Sequence, residues 1–155
     1  MEKNAPSPPG TLLARLQPST RVRLLSVGVR RSVKEAQVIL REGAEESYVI
    51  LLEDALVKVT AGLTDGRHAL LSIRVSGDII GEISALNETP RTATATACRP
   101  SVIRVIHRNE FMAFLRDNPD AALTVAGIIA DRLRCRAIAK SGDPWSRQGF
   151  PWLRR

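Results

Sequence analysis

Three residues standing close together in this 155-residue chain have the chemistry to bind a charged small molecule: Gly81, Glu82 and Arg91, within the run GDIIGEISALNETPRTATATA at 77–97. Gly81 lies where a strand ends and a short helix begins at Glu82-Ile83-Ser84. A glycine before a helix N-terminus leaves free backbone N–H groups, which attract an anion. Arg91 follows one short loop later, and a planar guanidinium holds a phosphate through two parallel hydrogen bonds. Glu82 does not suit a phosphate, because like charges repel. It suits a ligand that also presents hydroxyls, since a carboxylate accepts from ribose hydroxyls in dinucleotide sites. An anion site beside a hydroxyl acceptor points to a nucleotide with a compact phosphate.

The elements that must position these groups follow from the apolar periods. Leu12, Leu13 and Leu16 mark a short amphipathic turn. Pro18-Ser19-Thr20 starts a helix over 20–27, with Val22, Leu25 and Leu24 inward, and Gly28 ends it. The period then becomes strand-like: Val33, Val38–Leu40, Tyr48–Leu52, Leu56–Val59, and a hairpin across Asp65-Gly66 from Leu56–Thr60 to His68–Val75. Thr92–Ala97 alternates strictly, a strand with one face of methyls and one of threonines. Ser101–Ile106 is a further strand. Many short strands joined by Gly and Asp turns predict a β-sandwich or barrel-like roll.

The helical period returns at 109–117 with Phe111, Phe114 and Leu115. Asn118-Pro119-Asp120 predicts a helix start, with Asn as N-cap, Pro in the first turn and Asp at the positive end. That helix should reach about residue 139. Leu123, Ala126, Ile129 or Ala130, and Leu133 form one stripe, widened by Val125 and Ile128. A helix apolar on more than one face buries one against its own domain and another against a partner, so a homodimer through 119–139 is expected.

Composition narrows the classes. Hydrophobic residues make up 44% and aromatics only 4%, so the core must be Leu, Ile, Val and Ala. Cys98 and Cys135 are the only cysteines, too few for a zinc or iron–sulfur site and more in keeping with a reducing cytosol. No metal site is expected. The first ten residues, MEKNAPSPPG, lack the apolar stretch of a signal peptide, and no apolar run nears the roughly 18 residues of a membrane span. A cytoplasmic protein is therefore expected. The net charge of +7 is uneven. From residue 132 onward seven basic residues face one acidic residue, Asp143. No P-loop, nucleophile elbow or metal motif occurs, and His68 and His107 fall on different strands without a partner pattern. Catalytic residues are not expected, and the chain reads as a non-enzyme.

The 77–97 segment resembles the phosphate-binding cassette of cyclic-nucleotide-binding domains, especially those of the Crp/Fnr family of bacterial regulators. The likeness runs from about residue 12 to 136. It takes in Arg41-Glu42-Gly43, Val57-Lys58-Val59, Gly77-Asp78 and Asn118-Pro119-Asp120. It implies a mainly β fold, a double-stranded β-helix (jelly roll) with short N-terminal helices and a long C-terminal dimerisation helix. It implies a cyclic nucleotide ligand, cAMP or cGMP, without metal. The ligand residues would be Gly81, Glu82, Ile83, Ser84, Arg91 and Thr92: Gly81 and Ser84 giving N–H groups to the cyclic phosphate, Glu82 accepting the 2′-hydroxyl, Arg91 clamping the phosphate, Thr92 beside phosphate or base. A role in transcriptional regulation goes with it.

Three features depart from the family pattern. Ala55 replaces a turn glycine. Arg136 and Ala137 stand where cAMP-binding members offer adjacent Thr and Ser hydroxyls to adenine, so Arg136 is the candidate base contact, facing either a guanine edge or the solvent. Fifteen residues follow Lys140, fewer than a helix-turn-helix needs, so a DNA-binding domain is not expected in this chain. The expected organisation is a disordered 1–10, a cyclic-nucleotide-binding domain at 11–139 and an irregular basic tail at 140–155. The rival readings are a ligand-free β-roll that binds nucleic acid through its basic C-terminal segment, and a pure dimerisation module.

Overall fold

The computed structural model describes residues 7–141, with side chains through Cys135. In chain order the elements are α1 (Leu12–Arg15), α2 (Pro18–Ser26), β1 (Val29–Val33), β2 (Val38–Leu40), β3 (Val49–Asp54), β4 (Leu56–Gly62), β5 (His68–Val75), β6 (Ile79–Ile80), α3 (Glu82–Asn87), β7 (Thr94–Ala97), β8 (Ser101–Ile106), α4 (Arg108–Asp117) and α5 (Pro119–Ser141). The strands form two antiparallel four-stranded sheets, in the orders β1-β8-β3-β6 and β2-β7-β4-β5. This is the mainly β roll expected, with short helices before it and a long helix after it.

The period-2 geometry of β3 explains how the sheets and helices share a core. Val49 and Leu51 point into a cluster with Leu12, Leu24, Ile106, Phe111, Val125 and Ile128, under the helices. Ile50 and Leu52 point the other way, between the sheets, with Leu40, Val57, Ile80, Ala95, Ala97 and Ile103. A strand buried on both faces reads as a continuous apolar run, which is why Val49-Ile50-Leu51-Leu52 shows no alternation. In β7 the alternation is strict because one face is covered more fully than the other: Ala95 and Ala97 are buried, and Thr94 and Thr96 half-buried. Alanine is needed there, since β7 sits between β2 and β4 facing Leu40 and Val57.

Some local expectations shift. The helix at 18–26 turns Leu24 inward, completely buried, while Val22 is 68% exposed. Arg21 and Arg23 flank that outward position, and the helix has one narrow apolar face. Asn118 does not cap α5 with its side chain. Its amide donates to Phe114 O at 2.8 Å, closing α4, and its Oδ1 accepts from Arg23 Nη1 at 3.3 Å. Only its backbone carbonyl serves α5, receiving Ala122 N at 3.2 Å. Ala55 fits its turn without strain, because the non-glycine residues with positive φ are Ala36 and Glu88; it is buried and its N–H donates to Ser76 Oγ. His107 precedes α4 and lies outside β8.

The apolar faces of α5 divide as expected of a two-sided helix. Ala121, Val125 and Ile128 are buried against the domain. Leu123 is 74% and Leu133 50% exposed, with Ala126 and Ala130 exposed between them. Residues 1–6 and 142–155 lie outside the described residues, and with them most of the expected disordered N-terminus and basic tail. Residues 8–11 form a turn, Thr11 Oγ1 donating to Pro8 O at 2.8 Å.

Candidate ligand-binding site

The site begins with Gly81, which follows β6 with φ +82° and opens α3. Left-handed backbone of this kind costs a residue with a Cβ about 1–2 kcal/mol. Space adds a second reason: a Cβ here would meet Arg91 Nη1 at 2.6 Å and Leu40 Cδ1 and Tyr48 O at 3.2 Å. Gly81 thus lets Arg91 lie directly against the turn that aims α3. The N–H groups of Glu82, Ile83 and Ser84, in the first turn, have no intrahelical acceptor.

Arg91 is 3% exposed. Its Nη1 donates to Gly81 O at 3.0 Å and its Nη2 to Tyr48 O at 2.6 Å. The guanidinium lies 4.9 Å from the centre of the Tyr48 ring, a cation–π distance. Burial pulls its pKa below the ordinary arginine value, while Tyr48, Glu46 and Glu82 push it back, and arginine stays charged throughout. The Arg91 backbone is pinned to the Arg41–Ala44 turn, through Gly43 N to Arg91 O and Arg91 N to Ala44 O, both 2.8 Å. Ser84 Oγ donates to Pro90 O at 3.2 Å and ties α3 to the same loop.

Glu82 is 2% exposed, and its Oε1 receives Arg132 Nη1 of α5. Arg132 Nη2 donates to Asp78 Oδ1 at 2.7 Å. Asp78 Oδ2 receives Arg74 Nη1 of β5 at 3.5 Å. Burial, and then the like charge of Arg132, pull the Arg74 pKa down from its ordinary value. Neither Arg132 nor Arg74 was among the residues expected at the site. The sequence carried a sign of Arg132: it continues the 125–128–132 face of α5, a charged residue on the buried stripe.

Gly81, Glu82, Ile83, Ser84, Arg91 and Thr92 all line one cavity of about 310 Å³, together with Leu40, Val59, Arg74, Ala95, Arg132 and Cys135 among others. All six expected ligand residues therefore meet in one place. The side chain of Arg136, the expected base contact, lies outside the described residues. Thr92 precedes β7 and does not belong to it.

Three arginines and one glutamate face this cavity, and the Asp78 carboxylate stands behind it. The net charge is +1, which suits one monoanion. Three buried side-chain nitrogens of the described residues lack a hydrogen-bond partner, and two of them, Arg91 Nε and Arg132 Nε, belong to this wall. Buried donors of this kind call for an acceptor. The residues present thus fit a phosphate beside a hydroxyl. Among the described residues no group of three or more His, Cys, Asp or Glu could hold a metal ion. No helix among them is long and apolar enough to cross a membrane.

The chain is similar to several known proteins. Acetyltransferase Pat of Mycolicibacterium smegmatis is 38% identical over 79 residues, 51% of this chain and 23% of Pat. Lysophospholipase nte1 of Neurospora crassa is 28% identical over 102 residues, 66% of this chain and 7% of its own. The cyclic AMP receptor protein of Thermus thermophilus is 27% identical over 110 residues, 71% of this chain and 51% of its own. The crystal structure of the Thermus thermophilus catabolite activator protein superposes with a TM-score of 0.75 at 26% identity, over 83% of this chain and 60% of that one. The chain thus spans about half, or much less, of these relatives' lengths. The sequence model of the cyclic nucleotide-binding domain matches residues 30–118, more than half of the chain and all of the cavity motif, and this chain belongs to the cyclic nucleotide-binding domain family.

Proposed function

We propose that the chain is a non-enzymatic regulatory sensor whose ligand is a cyclic mononucleotide, cAMP or cGMP. The observation that carries this is the meeting of Arg91, the α3 N-terminus and Glu82 in one cavity whose charged groups, with Asp78 behind them, sum to +1. The cyclic phosphate, a diester with one negative charge, sits on the N–H groups of Gly81 and Ser84 and against Arg91. Glu82 accepts the 2′-hydroxyl, and Thr92 lies beside phosphate or base. A cavity of about 310 Å³ is at the small end for ligand sites and favours one nucleotide over two.

Arg132 ties the ligand site to α5, so a ligand that engages Glu82 changes what holds that helix. Regulation then requires only that the nucleotide bind one placement of α5 better than another. The exposed seam of Leu123, Ala126, Ala130 and Leu133 repeats at intervals of three and four residues, the spacing of a two-helix contact, and α5 pairs there with a second copy of the chain. Residues 11–139 act as this domain, in the cytoplasm and in transcriptional control. The nucleic-acid reading is weakened by two pairings in its basic segment: Arg132 is held by Glu82 and Asp78, and Arg134 by Asp131.

Isothermal titration calorimetry with cAMP, cGMP and cyclic dinucleotides tests the ligand. One cyclic mononucleotide should bind at micromolar concentration or tighter. Arg91→Ala should weaken it by roughly a hundredfold, since hydrogen bonds to charged groups contribute about 1.5–3 kcal/mol each. Arg91→Lys, which keeps the charge and loses the fork, should fall between. Equal affinity in wild type and Arg91→Ala would remove the site assignment.

A further inference from the structure

We infer that Asp78 and Arg74 set how strongly this site reads the sugar hydroxyl, Asp78 by competing with Glu82 for Arg132 and Arg74 by restraining Asp78. This rests on the reading of Glu82 as the hydroxyl acceptor. One guanidinium serves two carboxylates: Nη1 goes to Glu82 and Nη2 to Asp78 at 2.7 Å. All three side chains are at least nine-tenths buried, so neither carboxylate can turn to water for compensation.

The carboxylates are fixed and the arginine is the divisible partner. Asp78 Oδ1 accepts from Ile79 N at 3.0 Å, Asp78 N donates to Val75 O, and Asp78 O accepts from Leu52 N. Glu82 is fixed by the first turn of α3. Arg132 comes from another element, fifty residues along, at the end of a long side chain. Arg74 acts on this division from the far side of Asp78. Its 3.5 Å contact with Oδ2 draws off part of the aspartate charge and so limits the pull of Asp78 on Arg132. Arg74 is a positioning residue in this scheme, acting on Glu82 through Asp78 and Arg132.

Two substitutions then move the sugar reading in opposite directions. Asp78→Asn leaves Glu82 as the sole anion for Arg132, so the guanidinium settles on Glu82 and competes with the ribose hydroxyl. Arg74→Met keeps the apolar stem and removes the restraint on Asp78, so Arg132 moves toward Asp78 and Glu82 is released to the hydroxyl.

The measurement is the affinity ratio between a cyclic nucleotide and its 2′-deoxy analogue, using cAMP and cGMP as probes on the full chain. The preference for the ribo form should fall about threefold or more in Asp78→Asn and rise about threefold or more in Arg74→Met, each a fraction of what a hydrogen bond to a charged group is worth. Arg74→Lys should restore the wild-type ratio. Both substitutions also change the charge around the cavity, but the ribo and deoxy forms carry the same phosphate, so that change cancels in the ratio. Ratios that both fall, or that do not move, overturn the inference, because a purely structural role would weaken ribo and deoxy forms alike. A second measurement needs no nucleotide. The coupling between Glu82→Gln and Arg132→Met, from a double-mutant cycle in urea, should strengthen in the Asp78→Asn background and weaken in the Arg74→Met background. If the wild type binds neither cAMP nor cGMP, the functional proposal fails, and an unchanged coupling would separately overturn the competition.

Discussion

Gly81→Ala tests whether the glycine is there to seat Arg91 against the α3 turn. The methyl costs about 1–2 kcal/mol for left-handed backbone, offset by about 0.4–1 kcal/mol from the stiffer unfolded chain. It also lands 2.6 Å from Arg91 Nη1 and 3.2 Å from Leu40 Cδ1 and Tyr48 O. Arg91 is the flexible neighbour, yet it is buried and bonded to Gly81 O at 3.0 Å and Tyr48 O at 2.6 Å, so its movement breaks contacts. Overpacking of this kind costs about 1–3 kcal/mol. The net loss is about 2–4 kcal/mol, or about 6–12 °C in Tm at some 3 °C per kcal/mol for a chain of this size. Gly43→Ala is the control. Its φ is +82° as well, but nothing lies within 4 Å of the added Cβ, so it pays the backbone cost alone. Differential scanning calorimetry should show Gly81→Ala losing at least twice the Tm of Gly43→Ala. Titration with the cognate cyclic nucleotide should show affinity falling at least about tenfold in Gly81→Ala alone. Equal Tm losses together with unchanged affinity would refute the claim that Gly81 is required by Arg91.

The remaining predictions concern other links of the same chain. Arg132→Met leaves Glu82 and Asp78 buried without their shared cation and should cost about 3–5 kcal/mol in urea unfolding; Arg134→Met, whose partner Asp131 is exposed, should cost at most about 1 kcal/mol. Leu123→Asp with Leu133→Asp should shift sedimentation toward the monomer with little change in Tm, since both leucines are exposed; an unchanged sedimentation coefficient counts against the α5 seam. Tyr48 is the only tyrosine, and its pKa is pushed up to about 12 by burial first and then by Glu46. Its phenolate absorbance should therefore rise near pH 12. Because the folded pKa lies above the ordinary 10, the neutral phenol's contribution to stability is complete below pH 10 and is lost as pH rises toward 12. A midpoint near 10 would refute the half-buried, Glu46-bonded phenol.

Much of this protein was determined by local order in the sequence. The apolar run 49–52, the alternation within 94–97 and the Asp65-Gly66 hairpin specify strands because side chains alternate across a pleat, so burial on one face or two leaves a legible period. The convergence of residues 81–92 on one cavity was legible because they are twelve consecutive residues and need only one turn to meet. The two-sided apolar pattern of α5 was legible for the same reason, as a helix repeats its faces every few residues. Tertiary structure decided what depends on long-range register. Val22 and Leu24 are equally apolar by type, and only the docking of α2 chose Leu24 for the core. Asn118 is a good N-cap by type, yet the position of Arg23 and the end of α4 turned its side chain backward. Arg91 finds its resting acceptors on Tyr48 O and Gly81 O, and a backbone carbonyl leaves no mark in residue identity. The pairing of Arg132 with Glu82 and Asp78 joins residues 50 and 54 positions apart, and ion pairs at that separation have no period to betray them. Charge type limited the candidates, but only the packing of α5 over the cavity selected which arginine would meet which carboxylate.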